Sequence, residues 1–268
     1  MEEVNAQAIE TSNKRARKKA GIIVEINRLC NLSCLFCNVP NENLRLDIDK
    51  FKQRIDGYRK VGISGGEPIL HPDLRDMLML CKNKENIVLA TNLTKMPAYL
   101  LNDHELENNG VYKKLYIQIN LPSLNNELYK HITNANISLD VVLSNIEKLL
   151  SKGRNVIINV VLTSINAKDH EIMLFIDYFQ RKPIYMLRFH PVIIMDKGKE
   201  YLMPEHVDEL YKILEKCLLH GKGKGINIVF PSRYDIKLMI EGKTNYDYIT
   251  LEGLIFPSLF HAWLGNEL

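Results

Sequence analysis

The sequence predicts an α/β fold in which six βα units form a partial (β/α)6 TIM-like barrel with a short C-terminal extension. Short runs rich in β-branched residues alternate with amphipathic runs of helical period along most of the chain. One run, residues 156–162, is almost entirely apolar, which is typical of a parallel strand buried on both faces. The unusual polar, glycine and cysteine residues follow the strands at their C-terminal ends, where barrels of this kind carry their sites.

The predicted elements follow one another in regular order. The strands are runs of apolar and β-branched residues and cover 22–26, 61–64, 87–90, 115–119, 156–162, 184–192 and 226–230. The helices cover 47–60, 74–81, 138–153, 170–179 and 204–221, and a weak helix falls within 96–109. Crossovers between parallel strands are right-handed, so these helices are expected on the outside of the sheet.

Start signals, stop signals and apolar faces support the helices. Pro72 and Asp73 precede the second helix, while Ser138 is a predicted N-cap of the third helix and Gly153 its predicted end. Pro204 opens the last helix. Apolar residues at helical spacing share one face in the first, third and last helices: Ile48, Phe51 and Ile55; Leu139, Val142, Ile146 and Leu149; Val207, Leu210, Leu214 and Leu218.

Composition limits the classes of function. The 268 residues allow one large domain, and a net charge of +3 gives no indication of a nucleic-acid partner. No apolar run reaches the ~20 residues that span a bilayer, and the start Met-Glu-Glu lacks the order of a signal peptide. We therefore expect a cytoplasmic protein without a membrane partner. It divides into a basic N-terminal extension (1–20), a core barrel (21–232) and a C-terminal cap or extension (233–268).

The basic extension contains a cluster at Lys14, Arg15, Arg17, Lys18 and Lys19. We interpret this cluster as a solvated N-terminal helix, and a contact with an acidic partner is the alternative.

Three of the five cysteines form a Cys-x3-Cys-x2-Cys run, namely Cys30, Cys34 and Cys37. Such spacing lets a short loop offer three thiolates to one iron–sulfur cubane, which has four irons and therefore keeps one iron open. Two alternatives remain: a zinc site with His71 or Cys81 as fourth ligand, or three unrelated buried cysteines. Cys81 and Cys217 lie in predicted helices and are interpreted as core residues.

The cysteine run resembles the signature of the radical S-adenosylmethionine (SAM) superfamily, as does Phe36 directly before the third cysteine. The run Ser64-Gly65-Gly66-Glu67-Pro68 ends the second strand and is similar to the superfamily's Gly-Gly-Glu-Pro motif. Broader similarity extends over 20–232 and includes Thr91-Asn92, 117–120, 159–162 and 187–191.

This resemblance implies one [4Fe–4S] cluster on the three cysteines, with SAM bound to the open iron and cleaved to a 5′-deoxyadenosyl radical. The residues that it assigns to SAM are Phe36, Gly65, Gly66, Glu67, Thr91, Asn120, Asn159 and Leu187. Glu67 is expected to accept a hydrogen bond from the SAM ammonium, and Asn159 to reach the ribose. Phe36 and Leu187 are expected to line the adenine, with a core position as the alternative for Leu187.

Some positions depart from the superfamily's pattern or extend it. Asn120 stands where many relatives carry Ser, and Pro122 stands where they carry Asp, so the contact to SAM differs in detail. Arg188 and His190 are candidates for substrate contact, and a buried, satisfied histidine is the alternative for His190. Lys197 and Lys199 are interpreted as part of a solvated loop.

We therefore expect an oxygen-sensitive radical SAM enzyme that acts on a peptide or small metabolite, with a flavodoxin- or ferredoxin-type electron donor. The sequence contains no cysteine after Cys217, so no auxiliary cluster is expected, and a close match to the GTP cyclase of molybdenum-cofactor synthesis is weakened. GTP-cyclase-like, methyl-transferring or carbon–carbon bond-forming activity is the alternative within the superfamily. A non-catalytic zinc or iron–sulfur module is the alternative from another class.

Overall fold

The computed structural model describes residues 21–192, 207–230, 232 and 246–256. The basic cluster of the N-terminal extension, Lys197, Lys199 and the residues after 256 lie outside these ranges. Within the described ranges, no helix combines the length and the apolar character that crossing a bilayer requires.

One mixed sheet organises the described chain and confirms the predicted α/β fold. Its strands are β1 (Gly21–Glu25), β2 (Lys60–Ser64), β3 (Asn86–Thr91), β4 (Leu115–Asn120), β5 (Asn155–Leu162), β6 (Met186–Pro191), β7 (Ile228–Val229), β8 (Tyr246–Ile249) and β9 (Ile255–Phe256). Their order across the sheet is β7-β6-β5-β4-β3-β2-β1-β8-β9. Every neighbouring pair is parallel except β8 and β9. Because β7 and β9 are the two edges among the described strands, the sheet is open, as in a partial barrel.

The helices connect successive strands, as predicted for βα units. They are α1 (Ile48–Ile55), α2 (Leu74–Leu80), α3 (Ala98–Leu101), α4 (His104–Asn108), α5 (Val111–Lys114), α6 (Asn126–Thr133), α7 (Leu139–Ser151), α8 (Asp169–Phe179) and α9 (Val207–Gly221). Ser138 caps α7 as predicted, since its side chain accepts from the Asp140 N–H. The first helix is shorter than predicted, because Gly57 adopts a φ of 76° directly after it.

Helix α6 was not predicted from the sequence, although its two end signals are present. The Asn125 side chain accepts hydrogen bonds from the backbone N–H groups of Glu127 and Leu128, which is a standard N-cap. Asn134 ends the helix in the left-handed conformation, with φ 46° and ψ 47°. This helix positions the cysteine loop, as described below.

The two faces of the sheet differ in character, because side chains alternate along each strand. On one face, residues such as Ile119, Ile158 and Leu187 lie side by side in register and belong to the hydrophobic core that contains the helices' apolar residues. On the other face, Asn120 and Arg188 lie in register on either side of Asn159. We call this second side the polar face.

The segment predicted as a C-terminal cap or extension contributes two strands to the edge of the sheet. Strand β8 pairs in parallel with β1, the strand that leads into the cysteine loop, and β9 turns back antiparallel to β8. Arg54 of α1 fixes the turn between them, since its guanidinium donates to the carbonyl oxygens of Thr250 at 2.7 Å and Leu251 at 2.8 Å. The extension therefore supports β1 from the side opposite β2.

Candidate functional site

The three predicted cysteines come together at the C-terminal end of β1. They line one open cavity of about 310 Å³, together with Gly66 from the end of β2. The remaining lining residues are Leu32, Ser33, Asn38, Val39, Pro40 and Asn41. The cavity thus joins the cysteine run to Gly66 of the glycine pair, although the two motifs are far apart in the sequence.

Backbone hydrogen bonds fix the loop that carries the cysteines. The N–H groups of Ser33 and Leu35 donate to the last carbonyl oxygens of α6, on Thr133 at 3.1 Å and Ile132 at 3.0 Å. Asn41 closes the loop on its other side, because its side chain bonds both the N–H and the carbonyl oxygen of Cys30, each at 3.0 Å. The surrounding fold therefore holds the loop that carries the thiols in one conformation.

The thiols lie in a site that disfavours their charged form. The pKa of Cys30 is raised to about 11, mainly by burial and to a smaller extent by the charges of Glu67 and Cys37, although a hydrogen bond from the Leu32 N–H acts in the opposite direction. The pKa of Cys34 is raised even more strongly, again mainly by burial. Metal binding at this site must therefore release protons, since thiolates are the ligands.

The described residues do not favour a site for a single ion. Among them, no three His, Cys, Asp or Glu side chains converge as ligands of one metal ion. The two candidates for a fourth zinc ligand are engaged elsewhere. His71 uses both ring nitrogens, with Nε2 at 2.9 Å from the Leu46 carbonyl oxygen and Nδ1 accepting from the Asp73 N–H at 3.1 Å. Cys81 is fully buried in the hydrophobic core.

The glycine pair allows the end of β2 to lie directly against the chain that precedes Cys30. A Cβ atom on Gly65, whose φ is 146°, would lie 2.3 Å from the carbonyl oxygen of Asn27. A Cβ atom on Gly66 would lie 2.5 Å from the carbonyl oxygen of Arg28 and 2.6 Å from that of Leu29. Both positions therefore require glycine. In the structure, the close approach that the two glycines allow is to the backbone directly before Cys30.

Glu67 ties the ends of β2 and β3 together. Its Oε1 accepts from the Thr91 hydroxyl at 2.7 Å and from the Ile69 N–H at 3.0 Å, and its Oε2 accepts from the Asn92 N–H at 2.6 Å. The side chain is only 2% exposed. Burial raises the pKa of Glu67 to about 7, although the three donors act in the opposite direction. Thr91, also predicted to contact SAM, belongs to the same network. The expected contact from the Glu67 carboxylate to a SAM ammonium stays a prediction.

Two asparagines of the site were missed as site residues. Asn27 is fully buried, and its Nδ2 donates to the carbonyl oxygen of Glu67 at 2.9 Å. Asn92 donates to the Sγ of Cys30 at 3.9 Å and to Asn31 Oδ1 at 3.0 Å. A signal was available in both cases, because each is a polar side chain directly after a buried parallel strand.

The remaining predicted residues divide between the two faces of the sheet. On the polar face, Asn159 Nδ2 donates to Asn120 Oδ1 at 2.9 Å, and Arg188 donates to Gln118 Oε1 at 3.3 Å. Leu187 lies on the other face, fully buried in the core, so the structure does not bring it to the cavity. Phe36 is partly buried against the core next to the cysteines.

His190 is half-buried on the polar face. Its Nδ1 lies 2.6 Å from the carbonyl oxygen of Pro191, which fixes the tautomer with the proton on Nδ1. Burial, and then the charge of Arg188, lower its pKa to about 4. His190 is therefore a neutral, hydrogen-bonded histidine near neutral pH.

The fold and the site together define a class: an open, mainly parallel α/β sheet with three thiols and Gly66 around one cavity at its strand ends. The sequence profile described as the Radical SAM superfamily matches residues 24–176. The chain belongs to the radical SAM superfamily, which confirms the resemblance. It is an enzyme of that superfamily, whose cofactors are a [4Fe–4S] cluster and SAM.

Relatives of known name are GTP 3′,8-cyclases. The protein from Clostridium perfringens (strain SM101 / Type A) is 30% identical over 249 residues, which cover 86% of this chain and 72% of the relative. The probable GTP 3′,8-cyclase of Methanococcus aeolicus is 29% identical over 222 residues, which cover 76% of this chain and 70% of the relative.

Solved structures with the same fold include Streptococcus suis SuiB bound to the precursor peptide SuiA. That match has a TM-score of 0.74 at 16% identity, and it covers 98% of this chain and 65% of SuiB. A second is anSMEcpe with bound AdoMet, with a TM-score of 0.62 at 18% identity, covering 90% of this chain and 74% of that protein. The chain thus spans about two thirds of SuiB, and at these identities the matches show the fold alone.

Proposed function

We propose that Cys30, Cys34 and Cys37 hold one [4Fe–4S] cluster in this cavity and that SAM binds beside it, against Gly66. The observation that supports this most directly is that the three thiols and Gly66 line one cavity. The donor set also fits, because a cubane takes thiolate ligands, each on a different iron, and three cysteines line the cavity.

When bound, the reduced cluster supplies the electron that splits SAM into methionine and a 5′-deoxyadenosyl radical, which abstracts a hydrogen atom from the substrate. The protein's own residues hold and shield the site. Gly66 forms a wall without a side chain, and Asn92 donates to the sulfur of Cys30. The Oδ1 of Asn120 accepts a hydrogen bond from Asn159. Because Asn120 is exposed, its Nδ2 can then donate to SAM.

The substrate in this proposal is a peptide or a small metabolite. A GTP-cyclase-like reaction is the second candidate, favoured by relatives about 30% identical over most of the chain. The electron donor in the proposal is a flavodoxin- or ferredoxin-type protein. An oxygen-sensitive cluster that needs a strong reductant is suited to a reducing compartment, so the proposal places the enzyme in the cytoplasm.

Anaerobic reconstitution with iron and sulfide tests this proposal. We expect about four irons per chain and release of 5′-deoxyadenosine when SAM and dithionite are added. Cys34→Ala should abolish the release, whereas Cys81→Ala, in a core position away from the cavity, should retain the cluster if it folds. A colourless protein that binds only zinc, or full turnover in Cys34→Ala, would rule the proposal out. Stimulation of 5′-deoxyadenosine release by GTP would favour the second candidate.

A further inference from the structure

Arg188 differs from the other partly buried arginines in the described residues. Arg28, Arg54, Arg75 and Arg154 each donate to carboxylates or to backbone carbonyl oxygens. The guanidinium of Arg188 has a hydrogen bond to the neutral side-chain oxygen of Gln118 at 3.3 Å and forms no ion pair with a described acidic residue. Burial alone lowers the pKa of Arg188, in keeping with the lack of an acidic neighbour.

The described neighbours of Arg188 on the polar face are neutral side chains, and none carries a negative charge. Its in-register neighbour on β5 is Asn159, and the next position across, on β4, is Asn120. His190, two residues along β6, is neutral because its pKa is lowered to about 4. A desolvated cation without a counter-ion is costly, and a guanidinium whose described neighbours are all neutral is well suited to bind an oxyanion.

We propose that Arg188 binds an oxyanion group of the substrate, a carboxylate or a phosphate, on the polar face of the sheet. The proposal rests on the proposed function and deepens it. The positions assigned to SAM on this face are Asn120 on β4 and Asn159 on β5, whereas Arg188 lies on β6, one strand further from the cysteine loop. The oxyanion would therefore lie on the far side of SAM from the cluster, where the substrate approaches.

The direct test is a titration of the reconstituted holoenzyme with inorganic phosphate and, separately, acetate, followed by 31P and 13C NMR. Relative to wild type, we expect Arg188→Gln to bind the better of these two probes about tenfold more weakly and Arg188→Lys to retain part of the affinity. Arg59→Gln is the matched control, since Arg59 is exposed and paired with Glu85, and its affinity should equal that of wild type. Equal binding by Arg188→Gln and wild type would overturn the proposal.

A second measurement separates the substrate's oxyanion from the carboxylate of SAM itself. The affinities of SAM and of decarboxylated SAM are compared in wild type and Arg188→Gln. We expect both to stay within about twofold of wild type. If Arg188→Gln weakened SAM and left decarboxylated SAM unchanged, Arg188 would bind the SAM carboxylate and the substrate assignment would be wrong. Release of 5′-deoxyadenosine by wild type is scored separately, so failure of the radical SAM proposal is distinguishable from failure of this one.

Discussion

At the scale of single residues, burial and hydrogen bonding act in opposite directions on the pKa of Glu67. Three donors favour its ionised form, while nearly complete burial favours the protonated form, and burial has the larger effect on its pKa. Its partners are the side chain and backbone that follow β3, so the carboxyl group fixes the relative position of two strand ends. This is a positioning role, and the cavity beside Gly66 depends on it.

This conflict predicts a pH dependence of stability in the cluster-free protein. The pKa of Glu67 is raised from an ordinary 4.5 to about 7, so folding retains a proton that the unfolded chain has lost. Its stabilising contribution should be complete below about pH 4.5 and should be lost as the pH rises to about 7. Urea unfolding of wild type and Glu67→Gln measures it, because the other titrating groups cancel in the difference. The unfolding free energy of wild type minus that of Glu67→Gln should fall as the pH rises. If this difference stayed constant or increased with pH, the prediction would be contradicted.

Tyr129 supplies a second residue-scale prediction. It lies on α6, is fully buried, and its hydroxyl has no hydrogen-bond partner in the described structure. Removing an unsatisfied buried hydroxyl relieves a desolvation cost of about 1–3 kcal/mol, so cluster-free Tyr129→Phe should be at least as stable as wild type. Tyr112→Phe should be less stable by about 1 kcal/mol, because the Tyr112 hydroxyl donates to the Tyr99 carbonyl oxygen. Thermal unfolding of wild type and both variants measures these differences. A Tyr129→Phe variant less stable than wild type would refute the prediction.

At the scale of elements, the site depends on how closely β2 approaches the chain after β1. Gly66→Ala would place a methyl group 2.5–2.6 Å from two backbone carbonyl oxygens, which cannot rotate away as a side chain can. We expect a loss of stability of about 1–3 kcal/mol from overpacking and a clear drop in bound iron after reconstitution.

Gly153→Ala is the control for this substitution. Gly153 also has an unusual backbone conformation, with φ 64°, but a Cβ atom there would meet nothing within 4 Å. The Gly153→Ala variant should lose about 1 kcal/mol of stability because of backbone strain, and it should bind iron as wild type does. Iron content and urea unfolding of the two variants give the comparison. If Gly66→Ala loaded iron normally, the close approach would be irrelevant to the cluster site.

The sequence predicts elements best where a strong local pattern coincides with burial. Strands such as β5 are recognisable because parallel strands buried on both faces are nearly all apolar. Helix α6 was missed because its cap signals flank only eight residues. The cysteine run is recognisable as a site from its spacing, and the glycine pair from its resemblance to the superfamily's Gly-Gly-Glu-Pro motif. The internal bonds of Glu67 are not recognisable in this way, because they join Thr91 and Asn92 across strands, and only the tertiary structure sets that distance.

At the scale of the whole molecule, the strand that leads into the cysteine loop is held from both sides. Strand β1 lies between β2 and β8, and β8 comes from a segment more than 200 residues later in the chain. Glu25, the last residue of β1, is buried and accepts from the Leu251 N–H at 2.8 Å. Arg54 adds two further bonds to the same turn. The C-terminal segment therefore stabilises the start of the site although none of its described residues lines the cavity.

Arg54→Met tests whether the edge of the sheet formed by β8 and β9 unfolds locally, separately from the rest of the protein. The substitution keeps an apolar stem and removes two charge-assisted hydrogen bonds to the turn after β8, so local opening should become easier by about 1.4 kcal/mol, or tenfold. Hydrogen exchange should speed up by that factor in Tyr246–Ile249 and remain unchanged in Asn155–Leu162 of the central β5. Arg59→Met, at an exposed position paired with Glu85, should leave both segments unchanged. Equal acceleration in both segments would show that Arg54 contributes to global stability and does not hold this edge separately.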